Sequence, residues 1–239
     1  MPLCRLCETR PTRIKAHAIP QSFFVKHLAA NETPKIVWTS RHLYPRRCPI
    51  GVYDPNILCE ECETKFQPYD DYGFKFFFPT RELEVIHPST EAEANIIHSF
   101  DYPLLKLFIL STLWRASVST QKFYAGVKLG PYEDEIRHLI LSDGPGSPQE
   151  FPIVIYRFAY PPKLIPTLCP VHSRISGLNF YQLLLNGFLV MVKVDRQPMP
   201  PPLNDIALAH GMPLIIPSKD YRGSIEHRIM AQAARNAEP

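Results

Sequence analysis

Two Cys-x-x-Cys pairs, Cys4 with Cys7 and Cys59 with Cys62, constrain this chain more than any other feature it carries. Four thiols at that spacing can close a tetrahedral zinc site, each pair forming a knuckle and the chain between them a loop pinned at both ends. A zinc-held module at the N-terminal end is the first expectation. Cys48 and Cys169 stand alone, and a lone cysteine is usually a small buried hydrophobe. His42 with Cys48 offers a second ligand pair, but both lie outside either knuckle, which favours the four-cysteine set.

With 239 residues, 45% of them apolar and 21% charged, the chain has the composition of a globular protein with room for one large domain or two small ones. No basic segment followed by an apolar run and a cleavage site opens it, and its most apolar stretch, residues 104–113, contains Lys106 and is too short to span a bilayer. The expectation is a cytoplasmic protein with no membrane partner. Thiols stay reduced in that compartment, so the paired cysteines should bind metal rather than form disulfides.

Charge is unevenly placed. Residues 1–50 carry nine Lys and Arg against two Asp and Glu, whereas residues 51–101 carry three against eleven. Arg5, Arg10, Arg13, Lys15, Lys26, Lys35, Arg41, Arg46 and Arg47 are interleaved with Phe23, Phe24, Trp38 and Tyr44, a composition that can neutralise a phosphate backbone and release its counterions. Gly-rich phosphate loops, nucleophile elbows and dinucleotide fingerprints do not occur, which removes those enzyme classes.

Twenty-six prolines cut the chain into short elements. A short amphipathic helix is expected over residues 20–27, and a helix starting near residue 57 whose first turn holds the second thiol pair and several acids. Beyond residue 78 the pattern predicts helices over 89–98, 103–119, 131–141 and 223–234. It also predicts a strand over 151–160, a hairpin of 178–185 with 188–194 about Asn186-Gly187, and a short edge strand over 212–217. The fold class is therefore α+β. A zinc module at residues 1–78 precedes a second unit, residues 79–239, of about three helices and an antiparallel sheet that selects a substrate or protein partner.

Cys4, Cys7, His17, Pro20, Gly51, Asn56, Leu58, Cys59 and Cys62 occur in the order Cys-x-x-Cys, His-x-x-Pro, Gly loop, Asn-x-Leu-Cys-x-x-Cys. This resembles the zinc-containing branch of the HNH endonucleases, whose module is a treble clef or ββα-metal finger, over about the first quarter of the chain. The Leu-Trp-Arg-Ala-Ser stretch at Leu113 to Ser117 is similar to a segment of bacterial proteins of that kind. The resemblance implies a structural zinc on the four cysteines, His17 as general base and Asn56 as the residue that braces the loop or orients the base. It also implies a catalytic magnesium or manganese ion, a DNA or RNA substrate, and a role in restricting foreign DNA or in antiviral defence. The chain departs from the family at Ala16, where an acidic or imidazole ligand is usual, and at Glu63, where His or Asn is usual. Glu63 can stand in as the ion's ligand, with Asp54 or Glu60 as candidates for a second carboxylate. The competing expectation is a catalytically degenerate zinc module that binds nucleic acid or a protein partner.

Overall fold

The structure, a computed structural model, describes residues 1–26, 35–36, 46–48, 50–80, 84–86, 93–159, 168–224, 227–229, 231–232 and 235. Trp38, Arg41, His42 and Tyr44 fall outside these residues. The chain opens with a tight knuckle: the Cys4 amide donates to the Arg10 carbonyl at 2.8 Å and the Glu8 amide to the Cys4 carbonyl at 2.8 Å, with Glu8 in the left-handed region at φ 58°. Strand β1 (Ala16–His17) and helix α1 (Gln21–Val25) follow. Next come β2 (Lys35–Ile36) and β3 (Arg46–Arg47), which pair with each other, then β4 (Tyr53–Asp54), which pairs antiparallel with β1.

Helix α2 (Glu60–Phe77) starts on Cys59 as its N-cap, with Glu60, Glu61 and Glu63 in its first turn, where acids oppose the helix dipole favourably. β5 (Glu84–Ile86) and β6 (Ala94–Ile97) lead into α3 (Tyr102–Val118), capped by the Asp101 side chain accepting from the Leu104 amide at 2.8 Å. All of α3 except Pro103 and Leu104 is buried, as a helix apolar on nearly every face requires. α4 (Tyr132–Leu141) then precedes β7 (Ile153–Ala159), β8 (Val171–Ile175), β9 (Leu178–Leu185), β10 (Phe188–Lys193) and β11 (Leu214–Asp220). No described helix is long and apolar enough to cross a membrane.

The large sheet has seven strands in the order β5-β6-β11-β7-β10-β9-β8. The β9–β10 hairpin turns at Asn186 and Gly187, both at positive φ (47° and 79°), the conformation that makes Asn-Gly a hairpin turn. Three expectations are corrected. Residues 94–97 form β6, not part of a helix over 89–98: Ala94, Asn95 and Ile96 find partners on both sides and Ile97 pairs with Leu214, and that pairing outweighs a short helical pattern. The 212–217 edge strand is β11, which lies inside the sheet. The sheet is mixed, because β11 pairs antiparallel with β6 through residues 214–217 and parallel with β7 through residues 218–220. Pro217 sits at the changeover, where the absent N–H does least harm. The helix expected over 223–234 is helical at each described position from 227 onward.

One apolar core runs through both halves of the chain, from Cys4 and Leu6 through α2, α3 and α4 to Val190 and Ile216. Phe23 of α1 stacks on Phe108 of α3 (5.7 Å between centroids) and meets Phe78 at 5.2 Å, while Phe77 meets Phe188 of β10 at 5.5 Å. α4 holds the knuckle from outside: Arg137 Nε donates to the Leu6 carbonyl (2.8 Å) and its guanidinium pairs with Glu8 (2.8 Å), and Glu133 pairs with Arg5 (3.2 Å).

Candidate metal centre and adjoining polar cluster

The knuckle and the first turn of α2 bring Cys4, Cys7, Cys59 and Cys62 together with all four Sγ atoms within 4.8 Å of one another. Cys7 and Cys59 Sγ are 3.9 Å apart, close to the ~3.8 Å edge of a tetrahedron with Zn–S bonds of about 2.3 Å. The all-sulfur donor set fits zinc. Cys4, Cys59 and Cys62 are buried and Cys7 is half-buried. Burial opposes ionisation of Cys7, but the Thr9 side chain and the amides of Thr9 and Arg10 hold its thiol at about 6. Burial and the neighbouring Cys59 push Cys62 far above its ordinary range. Metal binding must therefore release protons from the deeper thiols.

His17 is on β1 and half-buried. Its Nε2 lies 2.6 Å from the Ile50 carbonyl oxygen. A carbonyl only accepts, so Nε2 carries the proton and the neutral ring leaves its lone pair on Nδ1. Burial pulls the His17 pKa below its ordinary value; the Ile50 carbonyl raises it, Arg115 lowers it and Asp70 raises it. The carbonyl is set by Gly51, whose φ of 73° excludes most side chains and whose missing Cβ leaves room for the Phe24 ring.

Glu63, one residue beyond Cys62, reaches the same region. Its Oε2 is buried without a hydrogen-bond partner. Burial raises the Glu63 carboxyl above its ordinary range; Arg115 lowers it, Asp70 raises it and the His17 backbone amide lowers it. Arg115 is wholly buried on α3 and forks onto Asp70 of α2 at 2.8 and 2.6 Å, with its guanidinium 4.7 Å from the Phe66 ring centroid. Sequence reasoning missed Arg115 and Asp70 as part of this site. The available signal was an arginine inside a helix with no polar face, since a buried cation needs a partner.

Asp54 and Asn56 are directed elsewhere. In the β1–β4 pairing Ala16 opposes Asp54 and His17 opposes Tyr53, so Asp54 points to the opposite face of the ribbon from His17. There Asp54 accepts from the Thr120 amide (2.5 Å), the Thr120 and Ser119 hydroxyls (both 2.9 Å) and the Asn56 amide (2.9 Å). Asn56 Nδ2 reaches Thr120 Oγ1 at 3.5 Å. Both residues tie the ribbon to the end of α3, and neither is brought to His17. Glu60 is exposed.

The basic residues divide as well. Arg5 and Arg10 are paired with Glu133 and Glu61, the latter at 3.5 Å. Arg13, Lys15, Lys26 and Arg47 are exposed, and among the described residues no carboxylate pairs with them. Arg46 contributes its backbone to β3. No family model, curated protein or solved structure matches the chain.

Proposed function

We propose that this chain is a metal-dependent HNH-type endonuclease that hydrolyses phosphodiester bonds of DNA, with RNA as the second candidate substrate. The observation that carries the proposal is the His17–Glu63 pair. A half-buried imidazole with its Nδ1 lone pair free for a proton stands on the β1–β4 ribbon, and an orphaned carboxylate oxygen comes from Glu63, in the first turn of the cysteine-capped helix, whose carboxylate meets the His17 backbone amide. The order of knuckle, ribbon and helix is the one a treble clef requires, and it supports that assignment.

In this reading His17 is the general base. Nδ1 takes the proton of a water as its oxygen attacks phosphorus, while the Ile50 carbonyl holds Nε2–H and with it the ring's orientation. Burial keeps the ring neutral and ready to accept. Glu63 Oε2 would hold a magnesium or manganese ion jointly with substrate phosphate and waters, an arrangement magnesium tolerates because it keeps much of its hydration. When bound, that ion supplies charge stabilisation for the departing oxygen.

One observation favours the second reading, a degenerate zinc module that binds nucleic acid or a protein partner. Asp54 is saturated by donors and Asp70 is held by Arg115, which leaves Glu63 as the one carboxylate with an open oxygen in the His17 cluster among the described residues. Incubating zinc-loaded protein with plasmid, linear duplex, single-stranded DNA and RNA in magnesium or manganese separates the two. Metal-dependent cutting that is lost in both His17→Ala and Glu63→Gln supports the nuclease. Intact protein with one zinc per chain that cuts none of these substrates supports the binding module.

A further inference from the structure

Residues 12–18 alternate. Thr12, Ala16 and Ala18 are buried and Ile14 half-buried, while Arg13 and Lys15 are exposed and His17 is half-exposed. Lys15 and His17 lie on the side of the ribbon that Tyr53 faces, and Arg13 is exposed two residues before Lys15. Tyr53 joins them from β4, because it is the register partner of His17; the two ring centroids are 6.1 Å apart at a tilt of 58°. Lys15 Nζ lies 5.1 Å from the Tyr53 ring centroid. Lys15, without a carboxylate partner among the described residues, one aromatic ring and the imidazole thus line a single face, with Arg13 exposed nearby along the chain. The ribbon's one carboxylate, Asp54, lies on the opposite side, facing Ser119 and Thr120, while Glu63 of α2 meets the His17 backbone amide.

From this face we propose that the chain binds single-stranded nucleic acid on the outer side of the β1–β4 ribbon, with Tyr53 stacking an unpaired base and Arg13 and Lys15 holding the flanking phosphates beside His17. The inference rests on the nuclease reading for the role of His17 but concerns binding. Stacking needs the open face of a base, which a paired and stacked duplex does not offer, and a flexible lysine above the ring can move aside to meet a phosphate. The knuckle arginines contribute little: Arg5 and Arg10 already have acidic partners, so their charge is not free to displace counterions. Arg13, Lys15 and Tyr53 are positioning residues, and they set a preference for unpaired substrate.

The test is equilibrium binding of the zinc-loaded full chain to a labelled single-stranded DNA, the matching RNA and the matching duplex. Calcium replaces magnesium so that no cutting intervenes, and anisotropy is read across a salt series. Tyr53→Ala should weaken single-strand binding roughly tenfold, and Tyr53→Trp should retain it. Lys15→Met and Arg13→Met should each lower the slope of log affinity against log salt by about 0.7, whereas Arg5→Met and Arg10→Met leave it unchanged. Wild-type affinity in Tyr53→Ala, preference for duplex, or a loss in Arg10→Met equal to that in Lys15→Met would each overturn the inference. Binding that behaves as expected without cutting in magnesium or manganese defeats only the nuclease reading. Cutting with an unchanged KM on single strands in Lys15→Met and Tyr53→Ala defeats only this one.

Discussion

Arg115 carries a full charge into a helix with no exposed side, and its fork onto Asp70 is what makes that tolerable. Removing one member of a buried pair leaves the other uncompensated, so Arg115→Met should cost about 3–5 kcal/mol in urea unfolding, and Arg115→Met with Asp70→Leu should recover much of that loss. An equal loss in the double variant would mean that packing of the arginine stem, not the charge pair, matters. His17 yields a second expectation. Its folded pKa lies below the unfolded value of about 6.5, so the unfolded chain binds the proton more readily and stability falls as pH drops from neutral through that value towards the folded one. His17→Gln should flatten this part of the stability profile. A profile identical to wild type would show that the imidazole is not held neutral by the fold. At this scale the sequence made the four cysteines legible because the spacing within each pair is local. Asp54, offered as a second ligand to the ion, turns instead towards Ser119 and Thr120, and Asn56 braces the ribbon against Thr120 without reaching His17, since the face a residue occupies depends on a strand register that only pairing fixes.

Helix α2 is anchored at one end by the cysteine cluster and packs along α3, with Gly73 set directly against the Phe108 ring. A Cβ there would lie 2.3 Å from the Phe108 ring, closer than any real contact allows. Alanine is the better helix former by about 1 kcal/mol, yet Gly73→Ala should destabilise the protein by about 1–3 kcal/mol because the ring has nowhere to go in a filled core. Gly126→Ala meets nothing within 4 Å and serves as the control, with little change expected in the same thermal or urea melt. Equal effects at the two sites would argue that α2 and α3 are less tightly packed than the structure has them. The elements most visible in the sequence were those whose signals are self-contained: the apolar run of α3 behind Pro103, the acidic first turn of α4, and the Asn-Gly hairpin. β6 and β11 were misjudged because their character comes from the strands beside them. Residues 94–97 become a strand where β5 and β11 supply both edges, and Pro217 is accepted inside a sheet only because β11 changes partner there.

The whole molecule raises the question of whether residues 1–78 can stand without the rest. The sequence pattern changes beyond residue 78, but contacts from beyond it reach far into the cysteine end. Ser119 and Thr120 satisfy the buried carboxylate of Asp54, Arg115 neutralises Asp70, Glu133 and Arg137 grip the knuckle, and Trp114 and Phe108 cover Phe66 and Phe23. Without them the fragment would expose an aromatic face and leave Asp54 short of three of its donors. Zinc contributes on the order of 10–16 kcal/mol to small metal modules, enough to order a knuckle and the first turn of α2. It cannot replace an apolar face, whose loss is proportional to the area returned to water. The fragment 1–78, expressed with zinc, is therefore expected to bind the ion through its four cysteines and yet show poor amide dispersion and no cooperative melt. In the full chain, chelation should lower the melting temperature of helix and sheet together in one transition, because Cys4, Cys59 and Cys62 belong to the core that reaches Ile216. A dispersed spectrum and sharp melt from the fragment, or two separate transitions in the full chain, would establish the N-terminal module as an independent unit and move the origin of its stability back to the metal.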